Sequence, residues 1–204
     1  MAKEALIVPR KILFQDNEFQ GFLPSEQRDF IQLILKNYKY HQRGEELENN
    51  SDLQQIIPYV WIINPKIKQI FAYRRASNQN YTEERLKNKW SCGLGGHIER
   101  QDSSDPIMQA MLRELQEEVL MQEYPKPKII GYLNDDSNSV GKVHFGILAI
   151  AETTQLVEKG DEEMAEGRFM SISELESLFS NPENDIETWT QLSWPAVKEY
   201  LLSQ

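Results

Sequence analysis

The chain has a single cysteine, no long apolar run and few basic residues. With only Cys92, no disulfide can form within the 204 residues, which suits a reducing compartment. The longest apolar runs, 59–64 and 145–151, fall far short of the roughly 20 residues of a membrane span. Proline and charges interrupt the first residues, unlike the apolar region of a signal peptide. We therefore expect a cytoplasmic protein without a membrane partner.

Acidic residues outnumber basic ones. The chain has 22 Lys and Arg against 32 Asp and Glu, a formal net charge of −10. Binding to nucleic acid through its phosphates needs a basic surface, so we do not expect a nucleic-acid partner. The same shortage disfavours an RNA-processing pyrophosphatase. A phosphorylated small molecule would need local basic groups or metal ions to offset the overall charge.

Hydrophobic patterning predicts strands interleaved with helices. Residues 64–66, Asn-Pro-Lys, form a turn signal between two apolar segments, and Ser171 with Glu174 forms a capping box. Residues 5–14 predict one or two short strands, and 41–52 predict a loop. The predicted strands are 56–64, 67–74, 90–94, 129–134 and 142–151. The predicted helices are 25–37 (with Ser25 as N-cap), a helix after 105, 171–179 and 186–202 with a start or kink at Pro195.

This order predicts an α/β fold, a mixed sheet between helical layers, in one domain. Residues 1–55 are too few to fold well alone, so we expect them to form an extension packed on a core at 56–180. Residues 181–204 would form a C-terminal helical segment. The sequence leaves the oligomeric state open, including a homodimer.

The strongest chemical signal is a set of carboxylates on the helix after residue 105. Relative to Glu114, an ideal helix rotates Glu117 by about −60° and Glu118 by about +40°, so all three share one face. Like charges at this spacing disfavour the helix, and a divalent cation would reverse that repulsion. Oxygen-rich sites suit Mg²⁺ and Mn²⁺. The core-facing residues are Met108, Met111, Leu112, Leu115 and Val119.

The ends of this helix support that interpretation. Asp105 is a good N-cap, and Pro106 then occupies the first helical position. Arg113 can pair with Glu117 one turn later. A glycine-rich turn, Gly93-Leu94-Gly95-Gly96, precedes the helix and allows the backbone to approach a metal or phosphate closely.

The segment resembles the Nudix box, G-x5-E-x7-R-E-U-x-E-E-x-G-U with U apolar. Residues 113–118, Arg-Glu-Leu-Gln-Glu-Glu, match its R-E-U-x-E-E core at every position, and Gly96 resembles its first glycine. Further motifs are similar to a Nudix branch of predicted MutT-type phosphoesterases, and the resemblance covers most of the chain. These motifs are Ile7–Arg10, Phe19–Phe22, Gln55–Tyr59, Tyr73–Arg75, Glu84–Leu86, Gly95–Ile98 and Val143–Gly146.

The chain departs from the pattern at two places. Asp102 stands where the first glutamate is expected, and it precedes Arg113 by eleven residues where the pattern has eight, so about three residues are inserted. The usual glycine after the second glutamate is also absent from Val119-Leu120-Met121. These departures leave the carboxylate helix intact and put the role of Asp102 in question.

The resemblance implies an α/β/α sandwich and a Mg²⁺- or Mn²⁺-dependent hydrolase of a small phosphorylated compound. The cation would be held by Glu114, Glu117 and Glu118 with the backbone carbonyl of Gly95 or Gly96. The three glutamates are also the catalytic candidates. Arg113 would have a structural role and orient Glu117.

Basic residues before the glycine turn are candidates for phosphate binding. Arg74 and Arg75 end a predicted strand, where side chains alternate, so one of the two should face the site. Arg85 lies farther along the same basic stretch, which also holds Lys87 and Lys89. His97 directly follows the glycines and is a further substrate-binding candidate, whereas His144 fits a core or supporting histidine better.

Three alternatives stay open. A further acidic group could come from the loop containing Glu162, Glu163 and Glu166, any of which could be the general base. The chain could instead be a non-catalytic nucleotide sensor, although an intact carboxylate set speaks against this. An isopentenyl-diphosphate-isomerase-like enzyme would use a cysteine, but Cys92 lacks the Cys-His-Pro setting of that family.

Overall fold

The computed structural model describes residues 3–77, 86–160 and 162–204. Six helices surround the strands within these ranges. The strands are β1 (Glu4–Pro9), β2 (Gly21–Pro24), β3 (Lys39–Gln42), β4 (Leu53–Asn64), β5 (Gln69–Arg75), β6 (Trp90–Ser91), β7 (Gly93–Leu94), β8 (Val119–Leu120), β9 (Lys128–Asn134), β10 (His144–Glu152), β11 (Glu158–Lys159) and β12 (Met164–Ser171). The helices are α1 (Arg10–Phe14), α2 (Phe30–Asn37), α3 (Glu45–Glu48), α4 (Pro106–Glu118), α5 (Ile172–Ser180) and α6 (Thr188–Ser203).

The main sheet is mixed and runs in the order β12-β5-β4-β10-β9-β2. Its central pair, β4 and β10, is parallel, and the flanking pairs are antiparallel. β1 pairs with both β3 and β4, so the first strand of the chain belongs to the same sheet. The division into an extension, a core and a C-terminal segment stays a prediction.

Alternating side chains of β4 contribute to two apolar cores, one on each face of the sheet. Ile56 and Val60 face the core that α1, α2 and α4 cover. Tyr59 and Trp61 face the core that α5 and α6 cover. Helices therefore pack on both faces, and the predicted α/β/α sandwich is confirmed.

The N-terminal residues differ from the sequence prediction. Residues 10–14, predicted as strand, form helix α1 after Pro9. The predicted loop at 41–52 contains the end of β3 and the one-turn helix α3. These short elements are positioned by packing against the sheet, which local sequence does not encode.

The helix predicted from Ser25 begins five residues later, at Phe30. Ser25 opens only a 3₁₀ turn, and Arg28 then returns to extended backbone. The side chain of Asp29 accepts a hydrogen bond from the N–H of Gln32 and is the actual N-cap. Ser and Asp are comparable caps, so the sequence alone did not decide between them.

The remaining strand and helix predictions hold within a few residues. The strand predicted at 90–94 is split into β6 and β7, with Cys92 between them. The capping box of Ser171 and Glu174 is confirmed, and α6 contains Pro195. Among the described residues, no helix has both the length and the apolar content that a membrane crossing requires.

Candidate active site

A cavity of about 590 Å³ opens between the glycine turn, the carboxylate face of α4 and the start of α6. Glu114, Glu117 and Glu118 all line it, as do Gly95 and Gly96. The structure therefore brings the turn and the three carboxylates to one wall. Its volume falls in the range of sites that hold small-molecule ligands.

Helix α4 presents this wall because its opposite side is anchored in the core. Ile107, Met111 and Leu115 are fully or almost fully buried against the sheet. Asp105 accepts a hydrogen bond from the N–H of Met108 (3.3 Å), and Pro106 occupies the first turn, so the predicted cap is confirmed. Burial of one stripe fixes the rotation of the helix and directs the glutamates to the cavity.

The glycine turn packs directly against two of these glutamates. The N–H of Gly95 donates to Glu118 Oε1 at 2.9 Å. A Cβ at Gly95 would collide with the carbonyl oxygen of Pro58, and a Cβ at Gly96 would lie 2.7 Å from Glu114 Oε1. The absence of side chains at both positions lets the backbone approach the carboxylates.

Arg113 connects the helix to the turn. Its guanidinium donates to Glu114 Oε1 (2.7 Å), to Glu117 Oε2 (3.0 Å) and to the carbonyl oxygen of His97 (2.8 Å). Its remaining donors are engaged by Asp102, at 3.2 and 3.1 Å. These contacts fix the orientation of Glu114 and Glu117.

Asp102 departs from the expected glutamate and lies behind Arg113. Only 4% of its surface is exposed, and its Oδ2 also accepts the N–H of Glu99 at 2.9 Å. It does not line the cavity. Asp102 therefore compensates the charge of the partly buried Arg113 and closes the inserted loop onto the helix.

Glu114 is the most buried of the three glutamates. Burial raises its pKa to about 7, Arg113 counteracts this effect, and Glu117 and Asp102 add to the rise. A carboxylate in such surroundings is stabilised in its charged form by a nearby cation. Three carboxylates on one wall, beside the backbone of Gly95 and Gly96, are a donor set that fits Mg²⁺ or Mn²⁺.

The two neighbouring arginines at the end of β5 face different surroundings. Arg75 lines the cavity and pairs with the buried Glu187, at 3.3 Å between Nη2 and Oε2. Arg74 pairs with Glu166 at 2.9 Å, and both of these side chains are exposed to solvent. Arg85, the third predicted arginine, lies outside the described residues.

His97 lines the cavity with a partly buried ring. Nε2 lies 2.8 Å from Oε1 of Gln55, and the ring packs edge-on against His144 with 5.5 Å between centroids. Burial lowers the pKa of His97 well below 6.5, and the charges of Arg43, His144, Lys3 and Arg113 lower it further. His97 can therefore offer a substrate a neutral ring but not a positive charge.

Of the three loop glutamates, the structure places Glu163 on the cavity wall. Its backbone carbonyl accepts the N–H of Ala76 at 2.7 Å, which holds the loop beside the end of β5. Glu166 is turned to Arg74, and neither it nor Glu162 lines the cavity.

Several cavity residues were missed by the sequence analysis. Lys3 and Arg43 come from the N-terminal region, where the N–H of Arg43 donates to the carbonyl of Lys3 at 2.9 Å. Trp189 comes from the start of α6, and residues 137–141 form another wall. The turn-rich composition of 134–141 was a usable signal for a functional loop, but nothing local marks Lys3, Arg43 or Trp189.

Cys92 is buried between β6 and β7 and does not line the cavity. Burial raises the pKa of its thiol well above the ordinary value, and Glu187 adds to the rise. An inert thiol away from the site speaks against the isomerase-like alternative, which requires a reactive cysteine.

Comparison with known proteins decides the family. The NUDIX domain model matches residues 54–192, which include the glycine turn and α4. The chain belongs to the Nudix family. It is a Nudix-type phosphohydrolase. The chain is also 34% identical over 203 residues to Protein YmaB of Bacillus subtilis (strain 168), and the alignment covers 94% of this chain and 95% of that protein.

Solved structures show the same fold for this Nudix hydrolase. The crystal structure of Tm1382 superposes with a TM-score of 0.78 at 22% identity, covering 97% of this chain and 99% of that one. A second similar structure is a bifunctional NMN adenylyltransferase/ADP ribose pyrophosphatase from Francisella tularensis, complexed with AMP and a Mn ion. It superposes with a TM-score of 0.50 at 14% identity, covering 72% of this chain and 42% of that one. At these identities the likeness concerns the fold alone.

Proposed function

We propose that this Nudix hydrolase cleaves a phosphoanhydride bond in a small nucleoside-diphosphate-linked compound and depends on Mg²⁺ or Mn²⁺. The observation that carries the proposal is the common wall formed by Glu114, Glu117 and Glu118 beside the glycine turn. Phosphoanhydride cleavage needs charge compensation at phosphate oxygens and activation of a water molecule. Clustered carboxylates that hold a divalent cation serve both needs.

The cation would be held by the three glutamates and a backbone carbonyl of Gly95 or Gly96. When bound, it supplies Lewis acidity that offsets phosphate charge and lowers the pKa of water. Arg113 keeps Glu114 and Glu117 oriented toward the cavity, and Gly95 does the same for Glu118.

A carboxylate on the cavity wall would take the proton from the attacking water. The candidates are the helix glutamates and Glu163, which directly precedes β12. Glu163 belongs to a different segment from α4, so it can serve as the base while the helix glutamates hold the cation.

The proposed substrate class is based on the cavity residues other than the glutamates. Arg75, which pairs with Glu187, and Lys89, which pairs with Asp185, place cationic donors on a cavity wall that also includes the largely buried ring of Trp189. Charged phosphates and a flat base or other ring system match these two kinds of surface. The Francisella tularensis protein of this fold was crystallised with AMP and Mn, which makes ADP-linked compounds the first to test.

The test is product release from nucleotide-sugars, dinucleoside polyphosphates, NADH, ADP-ribose and nucleoside triphosphates, with Mg²⁺ and with Mn²⁺. We expect turnover of at least one diphosphate-linked compound, lost on chelation. Tight binding of a nucleotide without any product would instead establish a sensor.

A further inference from the structure

Two histidines that line the cavity converge with a glutamate. One ligand atom from each of Glu48, His97 and His144 lies within 4.8 Å of the other two. They come from three separate elements: the end of α3, the residue after the glycine turn and the first residue of β10. Such convergence of side chains distant in sequence is produced by the tertiary fold.

Gln55 lies at the centre of this cluster. On β4 it is the register partner of His144, and its side chain is fully buried. Its Oε1 lies 2.8 Å from His97 Nε2, and its Nε2 donates to Glu48 Oε1 at 3.5 Å. Gln55 therefore holds His97 and Glu48 close to each other.

The orientation of the His144 ring is fixed by a contact of its Nδ1 atom. Nδ1 lies 2.7 Å from the carbonyl oxygen of Val140. A carbonyl can only accept, so Nδ1 carries the hydrogen and Nε2 carries the lone pair of the neutral ring. A backbone carbonyl that fixes the tautomer in this way is the usual support of a metal-ligating histidine.

We propose that Glu48, His97 and His144 form a binding site for a borderline transition-metal ion of the Zn²⁺ type, separate from the carboxylate site on α4. Two imidazoles and one carboxylate form a three-ligand set that leaves an open coordination position. His97 and His144 line the cavity, so this position faces it. Imidazole ligands select against Mg²⁺ and Ca²⁺.

The ligand atoms must move closer together to bind the ion. With Zn–N bonds of about 2.1 Å, tetrahedral ligand atoms lie roughly 3.4 Å apart. Glu48 ends a helix of only four residues and is partly exposed, so it can supply this adjustment by side-chain rotation. The bound ion would join α3 to the central strands.

Nearby positive charge limits the affinity but not the selectivity. Lys3 and Arg43 line the cavity and their charges act on His97, while the charge of Arg113 is largely offset by Asp102, Glu114 and Glu117. Repulsion by Lys3 and Arg43 acts on every divalent ion. The lone pairs of the two imidazoles favour only those ions that bind nitrogen well.

Cobalt titration of the untagged, chelator-treated protein tests the site, because Co²⁺ bound by nitrogen ligands gives visible absorption that Zn²⁺ abolishes by displacement. We expect one such Co²⁺ in the wild type. Binding should weaken at least about tenfold in Glu48→Gln and in His144→Ala, because mutation of residues that merely support metal ligands already lowers metal affinity by about that factor. His41→Ala is the matched control, because His41 lies on β3 outside the cluster and its loss should change nothing.

Glu117→Gln distinguishes the two sites. It should weaken Mn²⁺ binding and leave the Co²⁺ absorption unchanged. The new metal site is therefore tested independently of the proposed hydrolase activity. Glu48→Gln, on a partly exposed turn, covers the case in which His144→Ala fails to fold. No nitrogen-type Co²⁺ absorption in the wild type, or equal absorption in Glu48→Gln, would overturn the proposal.

Discussion

The backbone N–H of Gly95 donates to the Oε1 atom of Glu118 at 2.9 Å. This bond ties the last residue of α4 to the glycine turn and holds one carboxylate at the cavity edge. A glutamine at position 118 keeps an Oε1 acceptor and loses the charge. The two roles of Glu118, structural and chemical, can therefore be separated by substitution.

We predict that Glu118→Gln lowers kcat at least about 100-fold, the scale of losing an essential acid–base or charge-stabilising contact. The melting temperature should change little, because the hydrogen bond to Gly95 can be kept. Steady-state kinetics on the best substrate and a thermal melt measure both quantities. Glu123→Gln, an exposed change beyond α4, is the control. Near-wild-type kcat in Glu118→Gln would remove this residue from the chemistry.

Unequal effects are expected at the two arginines of β5. Arg75→Ala should raise KM at least about tenfold, equivalent to about 1.4 kcal/mol of binding, because Arg75 lines the cavity. Arg74→Ala should leave KM within about twofold, because Arg74 faces Glu166 and solvent.

Arg75→Ala also leaves the buried Glu187 without this partner, so a loss of stability accompanies the change. KM is therefore measured well below the melting temperature of the variant, and Arg75→Ala/Glu187→Gln provides a variant without the uncompensated carboxylate. KM values within about twofold of wild type in both Arg74→Ala and Arg75→Ala would show that the end of β5 does not bind the phosphates.

Metal binding to the native state should raise the melting temperature by mass action. At a cation concentration 100 times Kd the expected stabilisation is about 2.7 kcal/mol. Glu117→Gln should remove most of the shift produced by Mg²⁺ or Mn²⁺. Differential scanning calorimetry with and without EDTA measures it, and an undiminished shift in Glu117→Gln would exclude this residue as a ligand.

The response to metal should depend on pH through Glu114. Its pKa is raised in the folded protein from 4.5 to about 7, so below pH 7 the folded state holds a proton that the unfolded state loses above pH 4.5. Without metal, this group makes the protein less stable as pH rises from about 4.5 to 7. Metal must displace the proton, so the metal-induced shift should be larger at pH 8 than at pH 6. In Glu114→Gln this difference should shrink; if it persisted unchanged, another group would control the competition.

The sequence predicted those parts of the site that follow from local geometry. Glu114, Glu117 and Glu118 share a face because of helical spacing, and Asp105 marks the helix start. The alternation of strand side chains predicted that Arg74 and Arg75 would diverge, although not which of them faces the cavity.

The remaining features depend on long-range packing. Lys3 and Trp189 reach the cavity only because β1 joins the sheet and α6 packs across it. Likewise, His144 meets His97 only through the parallel pairing of β10 with β4. No local sequence pattern predicts these contacts. In the same way, local sequence did not show whether Ser25 or Asp29 would be the N-cap of α2.

The central claim is hydrolytic attack of water on phosphorus, supported by the carboxylate wall of α4. Turnover of the best substrate in ¹⁸O-labelled water, followed by mass spectrometry of the products, tests it most directly. We predict one ¹⁸O atom in a phosphoryl product, with incorporation that requires Mg²⁺ or Mn²⁺ and falls at least about 100-fold in Glu118→Gln. Nucleotide binding without labelled product, or label incorporation that is equal in Glu118→Gln, would contradict the account.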